Sequence, residues 1–346
     1  MKSSSNGRGS ALPVLGFMLG DCTGIGPEQC ARVLADRRLA DAARLLVIGD
    51  RRVLEMGAKD AGVQLAMRAY DEPEKVDWSR DAVPIIDLGN IDPALLGRGK
   101  VSPDSGRLTG ETLAYMIELA LAGRIDGVCF APLNKSALHA GGWKFNDEHQ
   151  MFAHLTRHAG FFGEMNVLDN LWMSRVTSHV SLRTAIDQVN AQRIDAALTL
   201  ADATMRGAGF AAPRIAVAAL NPHAGENGLF GWEEIEVIRP TVERAAKRGI
   251  LCTGPFPSDT VFLKAFNGEY DGVLSMYHDQ GQIATKMKGF NRGVTVTAGL
   301  ETVFTTPAHG TAFDIVGQGK ATTGALEQAV RLGARLAIAK QVAGNL

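Results

Sequence analysis

Short apolar runs, each ended by a polar turn, alternate with longer stretches of helical periodicity from about residue 12 onward. Such alternation is typical of strands joined by crossover helices. Because the apolar runs are continuous, they predict a largely parallel sheet that is covered on both faces. The strands predicted in this way lie within residues 12–21, 43–50, 82–89, 125–135, 214–225 and 270–281.

The helical pattern predicts long helices over residues 106–124, 184–206 and 321–343. A further helix begins at Pro27, a first-turn position where the missing N–H of proline costs nothing. A chain of 346 residues with 46% hydrophobic composition is long enough for two ordinary domains. We therefore expect an α/β protein of two domains.

Three polar segments, two of them directly after predicted strands, contain a histidine: "VTSHVSLRTA" (His179), "LNPHAGENG" (His223) and "MYHDQG" (His278). Ligands bind beyond the carboxyl ends of the strands in open α/β sheets. Neutral imidazole is a good ligand for zinc and similar divalent ions, and three such ligands leave positions open for a substrate. The residues alone leave two readings open, a joint metal site or separate hydrogen-bonded histidines.

Two glycine-rich segments could hold an anion or a nucleotide. "GDCTGIGPEQ" turns from a strand into a helix, so its backbone N–H groups and the helix dipole face whatever lies there. "AHGTAFDIVGQGKA" could wrap a nucleotide closely because glycine has no Cβ. Ordinary tight loops are the alternative for both.

Two further segments place polar residues near these strands. "APLNKSALHAGGWKFNDEHQ" carries Lys135, His149 and Gln150 behind a strand, with a helix beginning near Asp147. We expect His149 and Gln150 to reach a substrate, although a solvated loop would also explain the charges. In "GPFPSDTVF", the plainest role of Asp259 is to cap the following helix.

Charge and composition exclude several other classes of protein. The formal net charge is −1, so no overall field attracts nucleic acid or an anionic membrane. The four cysteines lack C-x-x-C spacing and are expected to be reduced core thiols. No apolar run reaches the roughly 18 residues that span a bilayer, and the first ten residues lack the apolar core of a secretion signal. These features favour a cytoplasmic protein.

Seven motifs together resemble the 4-hydroxythreonine-4-phosphate dehydrogenase (PdxA) family and its catabolic relatives. They occur in family order as "GDCTGIGPE", "APLNK", "LNPHAGENGLFG", "GPFPSDTVF", "MYHDQG", "GFNRGV" and "HGTAFDIVGQGKA". The resemblance implies two α/β domains like those of isocitrate and isopropylmalate dehydrogenases, with the active-site cleft between them. It also implies a homodimer whose subunits share active sites. The expected domains are residues 11–137 plus 305–346, which include the glycine-rich nucleotide loop, and residues 138–304.

The resemblance also assigns roles to individual residues. A divalent metal, preferably zinc, is expected on His179, His223 and His278, and NAD or NADP along the second glycine-rich loop. For catalysis, the resemblance implies Lys286 in proton transfer, with Asp279 and Asp259 beside the metal ligands. The residues implied for substrate binding are Lys135, His149, Gln150, Arg292 and Thr295. Those implied for cofactor binding are Gly310, Thr311, Ala312, Asp314 and Gly317.

Two departures from the family pattern concern the substrate. "DEHQ" keeps the family histidine as His149 but has Gln150 in place of a threonine. Thr295 and Phe304 stand where the phosphate-handling members have an asparagine and an arginine, and a phenyl ring cannot grip phosphate as an arginine does. The sequence therefore favours a non-phosphorylated substrate, as in the similar terephthalate dihydrodiol dehydrogenases, although these lack the "DEHQ" stretch.

The expected reaction is oxidation of a secondary alcohol beta to a carboxylate, followed by loss of CO₂. The favoured substrate is a diol acid such as terephthalate cis-dihydrodiol. The alternative is 4-phosphohydroxy-L-threonine or a related four-carbon phospho-acid. A phosphate acyltransferase-like enzyme and an inactive small-molecule binder are the remaining alternatives.

Overall fold

The structure, a computed structural model, describes residues 12–289 and 292–344. The expectation for the first ten residues lies outside this part of the chain. The strands are β1 (Val14–Met18), β2 (Arg44–Gly49), β3 (Met67–Ala69), β4 (Val83–Asp87), β5 (Gly127–Phe130), β6 (Gly163–Leu168), β7 (Leu171–Arg175), β8 (Ile215–Ala218), β9 (Cys252–Phe256), β10 (Gly272–Ser275), β11 (Val294–Ala298) and β12 (Phe304–Pro307).

The α-helices lie mostly between these strands, as the sequence predicts. They are α1 (Gly26–Asp36), α2 (Arg51–Ala61), α3 (Pro103–Leu121), α4 (Lys135–Ala140), α5 (Glu148–Leu155), α6 (Leu182–Gln188), α7 (Ala191–Gly207), α8 (Arg239–Lys247), α9 (Ser258–Phe266), α10 (His278–Gly289) and α11 (Gly324–Gly344). Short 3₁₀ turns and one π-helical turn, Glu234–Ile238, complete the connections.

The strands form one continuous sheet in the order β3-β4-β2-β1-β5-β12-β11-β6-β7-β10-β8-β9. Eight of the eleven strand pairs in the described residues are parallel, which confirms the predicted α/β class with a largely parallel sheet. The domain boundaries stay a prediction.

The sheet consists of two parallel blocks that run in opposite directions. Strands from β3 to β12 in the sheet order form the first block, and strands β7, β10, β8 and β9 form the second. Between them, β11 is antiparallel to both β12 and β6, and β6 is antiparallel to β7. We call β11 and β6 the central strands. They let the carboxyl ends of oppositely directed blocks contribute to one site.

Burial and capping explain why these segments form the observed elements. Strand β5 is buried throughout, as a strand covered by helices on both faces must be. Helix α3 begins with Pro103 in its first turn after Ser102, whose side chain accepts from the Ser105 N–H. The four cysteines are free and buried, as expected. In the described residues, every helix is too short or too polar to cross a bilayer.

The single helix predicted over residues 184–206 is wrong. Two helices, α6 and α7, occupy this stretch, and the break comes at Asn190. The Asn190 side chain accepts a hydrogen bond from the Arg193 N–H and caps α7. A new helix therefore begins here, and α6 does not continue through it. Strands β3, β6, β7, β9, β11 and β12 were not among the predicted strands.

Candidate active site

A cleft of about 240 Å³ lies over the central strands. Both parallel blocks contribute to it: Lys135 follows β5 and Gly310 follows β12, whereas His179 follows β7 and His278 follows β10. This agrees with the general placement of ligands beyond the carboxyl ends of parallel strands.

His179 and His278 lie side by side in this cleft, with ring centroids 5.2 Å apart. Each ring uses Nδ1 to meet a carboxylate: His179 Nδ1 lies 2.6 Å from Asp147 Oδ2, and His278 Nδ1 lies 2.7 Å from Asp279 Oδ1. Burial lowers the pKa of His278 and outweighs the raising effect of Asp279, so neutral imidazole is favoured. A neutral ring that donates through Nδ1 keeps its Nε2 lone pair for another partner.

His223, the third predicted ligand, lies apart from this pair. Its ring neighbours Phe230 at a centroid distance of 6.2 Å, and it is not among the residues that line the cleft. Within the described residues of one chain, no three His, Cys, Asp or Glu side chains converge on a metal position. The structure therefore brings together two of the three predicted ligands.

The backbone that carries His223 is strained. Residues 223–227 all have positive φ, from 42° to 79°, and only Gly225 among them lacks a Cβ. Left-handed backbone costs roughly 1–2 kcal/mol per non-glycine residue. The buried Glu234 carboxylate accepts from the N–H groups of Leu220 and Asn221 and thereby fixes the start of this turn. Left-handed runs of this kind concentrate at functional sites.

The floor of the cleft is a polar network on the central strands and β7. Asn166 Nδ2 donates to Glu164 Oε1 and to Thr295 Oγ1, both at 3.0 Å, and Asn166 Oδ1 accepts from Gln282 Nε2 at 2.9 Å. Arg175 Nη2 also donates to Asn166 Oδ1 and lies 3.4 Å from Glu164 Oε1. The network fixes the orientation of several groups that face the cleft.

Glu164 and His149 form a charged pair within this network. Burial would raise the pKa of Glu164, but Arg175 and His149 more than offset that and hold the pKa well below its usual range. Burial would lower the pKa of His149, yet the nearby carboxylates, above all Glu164, raise it overall. His149 Nε2 lies 3.4 Å from Glu164 Oε2, and its Nδ1 lies 2.6 Å from Thr297 Oγ1. His149 thus supports the floor, under the cleft.

Two other predicted substrate residues, Lys135 and Gln150, have different positions. Lys135 lines the cleft and pairs with Glu148 at 3.1 Å. Gln150 is exposed and does not line the cleft, while its backbone N–H donates to Asp147 Oδ1 at 2.9 Å. The helix expected to begin near Asp147 is α5, with Asp147 as its N-cap.

The three predicted catalytic residues are also separated. Lys286 lines the cleft on α10, about two turns beyond His278. Asp279 is exposed and touches His278 Nδ1. Asp259 is exposed in the first turn of α9 and does not line the cleft. The capping role expected for Asp259 is wrong, because α9 begins after Pro257 without a side-chain cap, whereas its catalytic role stays a prediction.

Of the predicted substrate residues Arg292 and Thr295, one lines the cleft and the other does not. Thr295 lines the cleft as part of the polar floor. Arg292 lies outside it, 3.5 Å from the Asp169 carboxylate and 60% exposed. Of this pair, Thr295 lines the cleft of one chain, and the substrate role of Arg292 stays a prediction.

The second glycine-rich loop forms one wall of the cleft through His309 and Gly310. A Cβ on Gly310 would meet nothing within 4 Å, so this backbone faces open space. The remaining predicted cofactor residues, Thr311, Ala312, Asp314 and Gly317, follow along the same loop. Thr311 accepts from the Ile25 N–H at 3.1 Å, so the loop packs on the first glycine-rich segment. The open space at Gly310, which has no Cβ, fits the close approach of a nicotinamide cofactor.

The donor chemistry also fits a divalent metal. Metal-bound histidines almost always donate their second ring nitrogen to a carboxylate, carbonyl or water, as His179 and His278 do here. Two neutral imidazoles suit zinc and similar ions, and a third donor would complete a catalytic set.

Sequence reasoning missed Glu164, Asn166, Arg175 and Gln282. A signal was available for the first two, because β6 alternates polar and apolar residues in "GEMNVL", with Glu164 and Asn166 on one face. Arg175 and Gln282 carried no comparable signal.

Comparisons with known proteins give a consistent family. The family model described as "Pyridoxal phosphate biosynthetic protein PdxA" matches residues 41–333. A Pseudomonas aeruginosa protein, named provisionally as 4-hydroxythreonine-4-phosphate dehydrogenase 2, is 45% identical over 94% of this chain and 97% of its own length. D-threonate 4-phosphate dehydrogenase from Cupriavidus necator is 43% identical over 94% of this chain and 98% of its own.

A solved structure agrees with these relatives. The 4-hydroxythreonine-4-phosphate dehydrogenase from Burkholderia phymatum shares 40% identity, with a TM-score of 0.79 over 94% of this chain and 99% of its own. The terephthalate 1,2-cis-dihydrodiol dehydrogenase from Burkholderia xenovorans is only 24% identical, at a TM-score of 0.65 over 93% of this chain and 98% of its own. That likeness extends to the fold alone.

The predicted non-phosphorylated diol acid substrate is therefore wrong. The relatives named above at 40–45% identity are named for phosphorylated substrates. The structure also removes the main argument for that prediction. Phe304 is fully buried and stacks on Phe152 at 4.3 Å, so its phenyl ring packs in the core and does not face the cleft. Its identity says nothing about which group the cleft binds.

Proposed function

The chain belongs to the PdxA family, and from this premise we propose that it is a metal-dependent, NAD(P)-linked dehydrogenase of a 4-phosphorylated four-carbon hydroxy acid. D-threonate 4-phosphate is the favoured substrate. The observation that carries the proposal is the pair His179 and His278, each held by a carboxylate, in the same cleft as Lys286 and Gly310. The relatives support the substrate class.

The roles of the chain's own residues follow from this cleft. His179 and His278 would hold the divalent ion through Nε2, and the wall from His309 to Gly317 would hold the nicotinamide. When bound, the ion supplies Lewis acidity at the substrate hydroxyl and the nicotinamide supplies the hydride acceptor. Lys286 would accept the hydroxyl proton, since it lines the cleft on the helix that begins with His278. Asp279 and Asp259 keep their predicted supporting roles as part of the proposal.

The paired carboxylates of the cleft favour a hydroxy acid over an amino acid. The two relatives' substrates differ at C2, where D-threonate 4-phosphate carries a hydroxyl and 4-hydroxythreonine 4-phosphate an ammonium. Glu148 pairs with Lys135, and Glu164 pairs with Arg175 and His149. Among the described residues, both acids that line the cleft are thus engaged by cations. An ammonium would have to share a carboxylate that already pairs with a cation, whereas a hydroxyl needs only the amide and hydroxyl groups of the floor.

Oxidation of such a substrate at C3 yields a 3-keto acid. A carbonyl beta to a carboxylate allows loss of CO₂, so we propose that decarboxylation follows oxidation. The C3–H bond supplies the hydride and the C3 hydroxyl loses its proton. In the second step the C1–C2 bond breaks, CO₂ leaves, and the bond's electron pair forms a C2–C3 enolate that then takes a proton at C2.

A homodimer with shared sites would supply the missing third ligand. Leu229 and Trp232 follow the strained turn of His223 and are 72% and 57% exposed, and Met287 on α10 beside the cleft is 84% exposed. Large exposed apolar side chains are typical of subunit contacts. We propose that His223 of the partner subunit completes the metal set.

A substrate panel tests the activity. The purified protein, loaded with Zn²⁺, Mn²⁺ or Co²⁺, is incubated with NAD⁺ or NADP⁺, and reduced cofactor and CO₂ are followed. D-threonate 4-phosphate should give the highest kcat/KM, with 4-hydroxythreonine 4-phosphate lower. No turnover of either phosphorylated acid under any metal would reject the proposed function, and preference for the amino acid would reject the C2 argument alone.

A mixing experiment tests the shared site. His223→Ala and His278→Ala variants should each be inactive. Subunit exchange between them should restore about a quarter of wild-type activity, because half the dimers are mixed and each mixed dimer has one intact site. Absence of recovery, with exchange verified by mass-tagged subunits, would place all three ligands in one chain.

A further inference from the structure

Asp147 connects two parts of the cleft that are far apart in the chain. Its Oδ2 lies 2.6 Å from His179 Nδ1, after strand β7. Its Oδ1 accepts from the Gln150 N–H at 2.9 Å and caps helix α5, on which His149 lies. The Asp147 side chain is 6% exposed. One buried carboxylate therefore fixes both an imidazole and the start of a helix.

The contact decides which nitrogen of His179 is available. Asp147 Oδ2 lies 2.6 Å from His179 Nδ1, and the carboxylate oxygen accepts a hydrogen bond from the ring N–H. His179 must then donate from Nδ1, which leaves the lone pair on Nε2. A metal ligand needs that lone pair, and a fixed ring also lowers the cost of ordering it.

The second carboxylate–imidazole pair provides a contrast within the same cleft. Asp279 meets His278 Nδ1 at 2.7 Å, but its side chain is 73% exposed. Water competes for an exposed carboxylate and screens its charge, whereas a buried one keeps its partner in one geometry. The pair at Asp147 should therefore orient its imidazole more firmly than the pair at Asp279.

We propose that Asp147 is the positioning residue that holds His179 in the metal-binding tautomer and orientation, and that it also couples this ligand to helix α5. The inference rests on the proposed function in one respect, that His179 binds the divalent ion. Asp147 itself touches neither metal nor substrate. Its effect is expected in metal affinity and ligand geometry.

Two substitutions separate the two contacts of Asp147. Serine is a good N-cap but is too short to reach His179, so Asp147→Ser keeps the cap and removes the imidazole contact. Asparagine can keep the cap through its Oδ1 atom, but its amide donates toward Nδ1 and favours the tautomer with the proton on Nε2. Asp279→Asn is the matched substitution at the exposed pair, and His179→Ala removes the ligand.

The experiment measures Co²⁺ binding to the full-length protein after removal of metal with a chelator. Affinity comes from competition with a chromogenic chelator, and the visible absorption of bound Co²⁺ reports ligand geometry. Asp147→Ser and Asp147→Asn should weaken Co²⁺ binding about 10- to 100-fold and change the spectrum, since partners of metal ligands have effects of this size. Asp279→Asn should weaken binding by a clearly smaller factor than either Asp147 variant, because its carboxylate is screened by solvent.

The outcomes separate the inference from the function on which it rests. If His179→Ala binds Co²⁺ as the wild type does, the proposed metal site is wrong. If His179→Ala loses binding while both Asp147 variants stay within about 2-fold of wild type, the role of Asp147 is wrong. Circular dichroism checks that each variant is folded, and if the serine variant is not, the asparagine variant decides by the same criterion.

Discussion

The two parallel blocks and the central strands contribute to the cleft in different ways. The blocks supply residues that follow strand ends, such as His179 and His278, on segments whose side chains are partly open to solvent. The central strands supply Glu164, Asn166 and Thr295 from within the strands themselves. Asn166 and Thr295 are buried there, the Glu164 side chain is 10% exposed, and Asn166 is hydrogen-bonded to both of the others. The strand ends should therefore govern chemistry alone, whereas the central strands should govern chemistry and stability together.

The largest expected effect comes from a strand end. His278→Ala should abolish Co²⁺ or Zn²⁺ binding and turnover, because it removes an imidazole of the proposed metal set. The free energy of unfolding should change by less than about 0.5 kcal/mol, since the side chain is partly exposed and lies outside the core. Metal analysis, steady-state kinetics and urea denaturation measure the three quantities. His139→Ala, an exposed histidine at the end of α4, is the control and should change none of them.

A substitution in the floor should affect both properties. Glu164→Ala should lower the free energy of unfolding by about 3 kcal/mol, because it leaves Arg175 buried without its charge partner. Activity should fall as well, since the floor loses its fixed geometry. Urea denaturation beside kinetics measures both. Glu164→Gln, which keeps the shape, should lose less stability; an unfolding free energy unchanged in Glu164→Ala would remove the contrast between floor and strand ends.

The charged pair of Glu164 and His149 should make the free energy of unfolding depend on pH. The folded pKa of Glu164 lies below its usual value, so its contribution to stability is present above about pH 4.3 and is lost as pH falls through the folded pKa. The folded pKa of His149 is raised, so its contribution is present below about pH 6.5 and is lost as pH rises through the folded pKa.

The free energy of unfolding, measured against pH for the wild type and Glu164→Gln, checks this expectation. The advantage of the wild type should shrink both in strong acid and above neutral pH. A constant difference from pH 3 to pH 9 would contradict the charged-pair interpretation.

The smallest effect is expected away from the sheet. Asn190→Ala removes the cap of α7 and should cost about 1 kcal/mol of unfolding free energy with no change in kcat/KM. Asn190→Ser, which keeps a capping oxygen, should be close to wild type. A marked loss of activity in the alanine variant would show that the helices behind the second block also affect the chemistry.

The same contrast explains what the sequence could predict. Continuous apolar runs followed by polar clusters marked β1, β2, β4, β5, β8 and β10, so the α/β class and most strand-end residues could be predicted. The central strands alternate polar and apolar residues, a pattern that belongs to an antiparallel arrangement and was not expected inside a parallel sheet. Glu164 and Asn166 were missed for that reason.

The wrong substrate argument from Phe304 came from assuming a side-chain direction without the strand register. In β12, Phe304 lies opposite Thr297 of β11 and Val128 of β5, and its ring enters the core. A one-residue change of register reverses the face of a side chain, and sequence position alone does not give that register.

The uninterrupted ladder of hydrogen bonds from β3 to β9 has a mechanical consequence for the cleft. Its two walls are tied together by the backbone that forms its floor. Any widening or narrowing of the cleft that moves both walls must alter the twist of the strands beneath. Such a deformation would displace the residues that orient the reacting groups. Opening the cleft would therefore also disturb the geometry that the reaction requires.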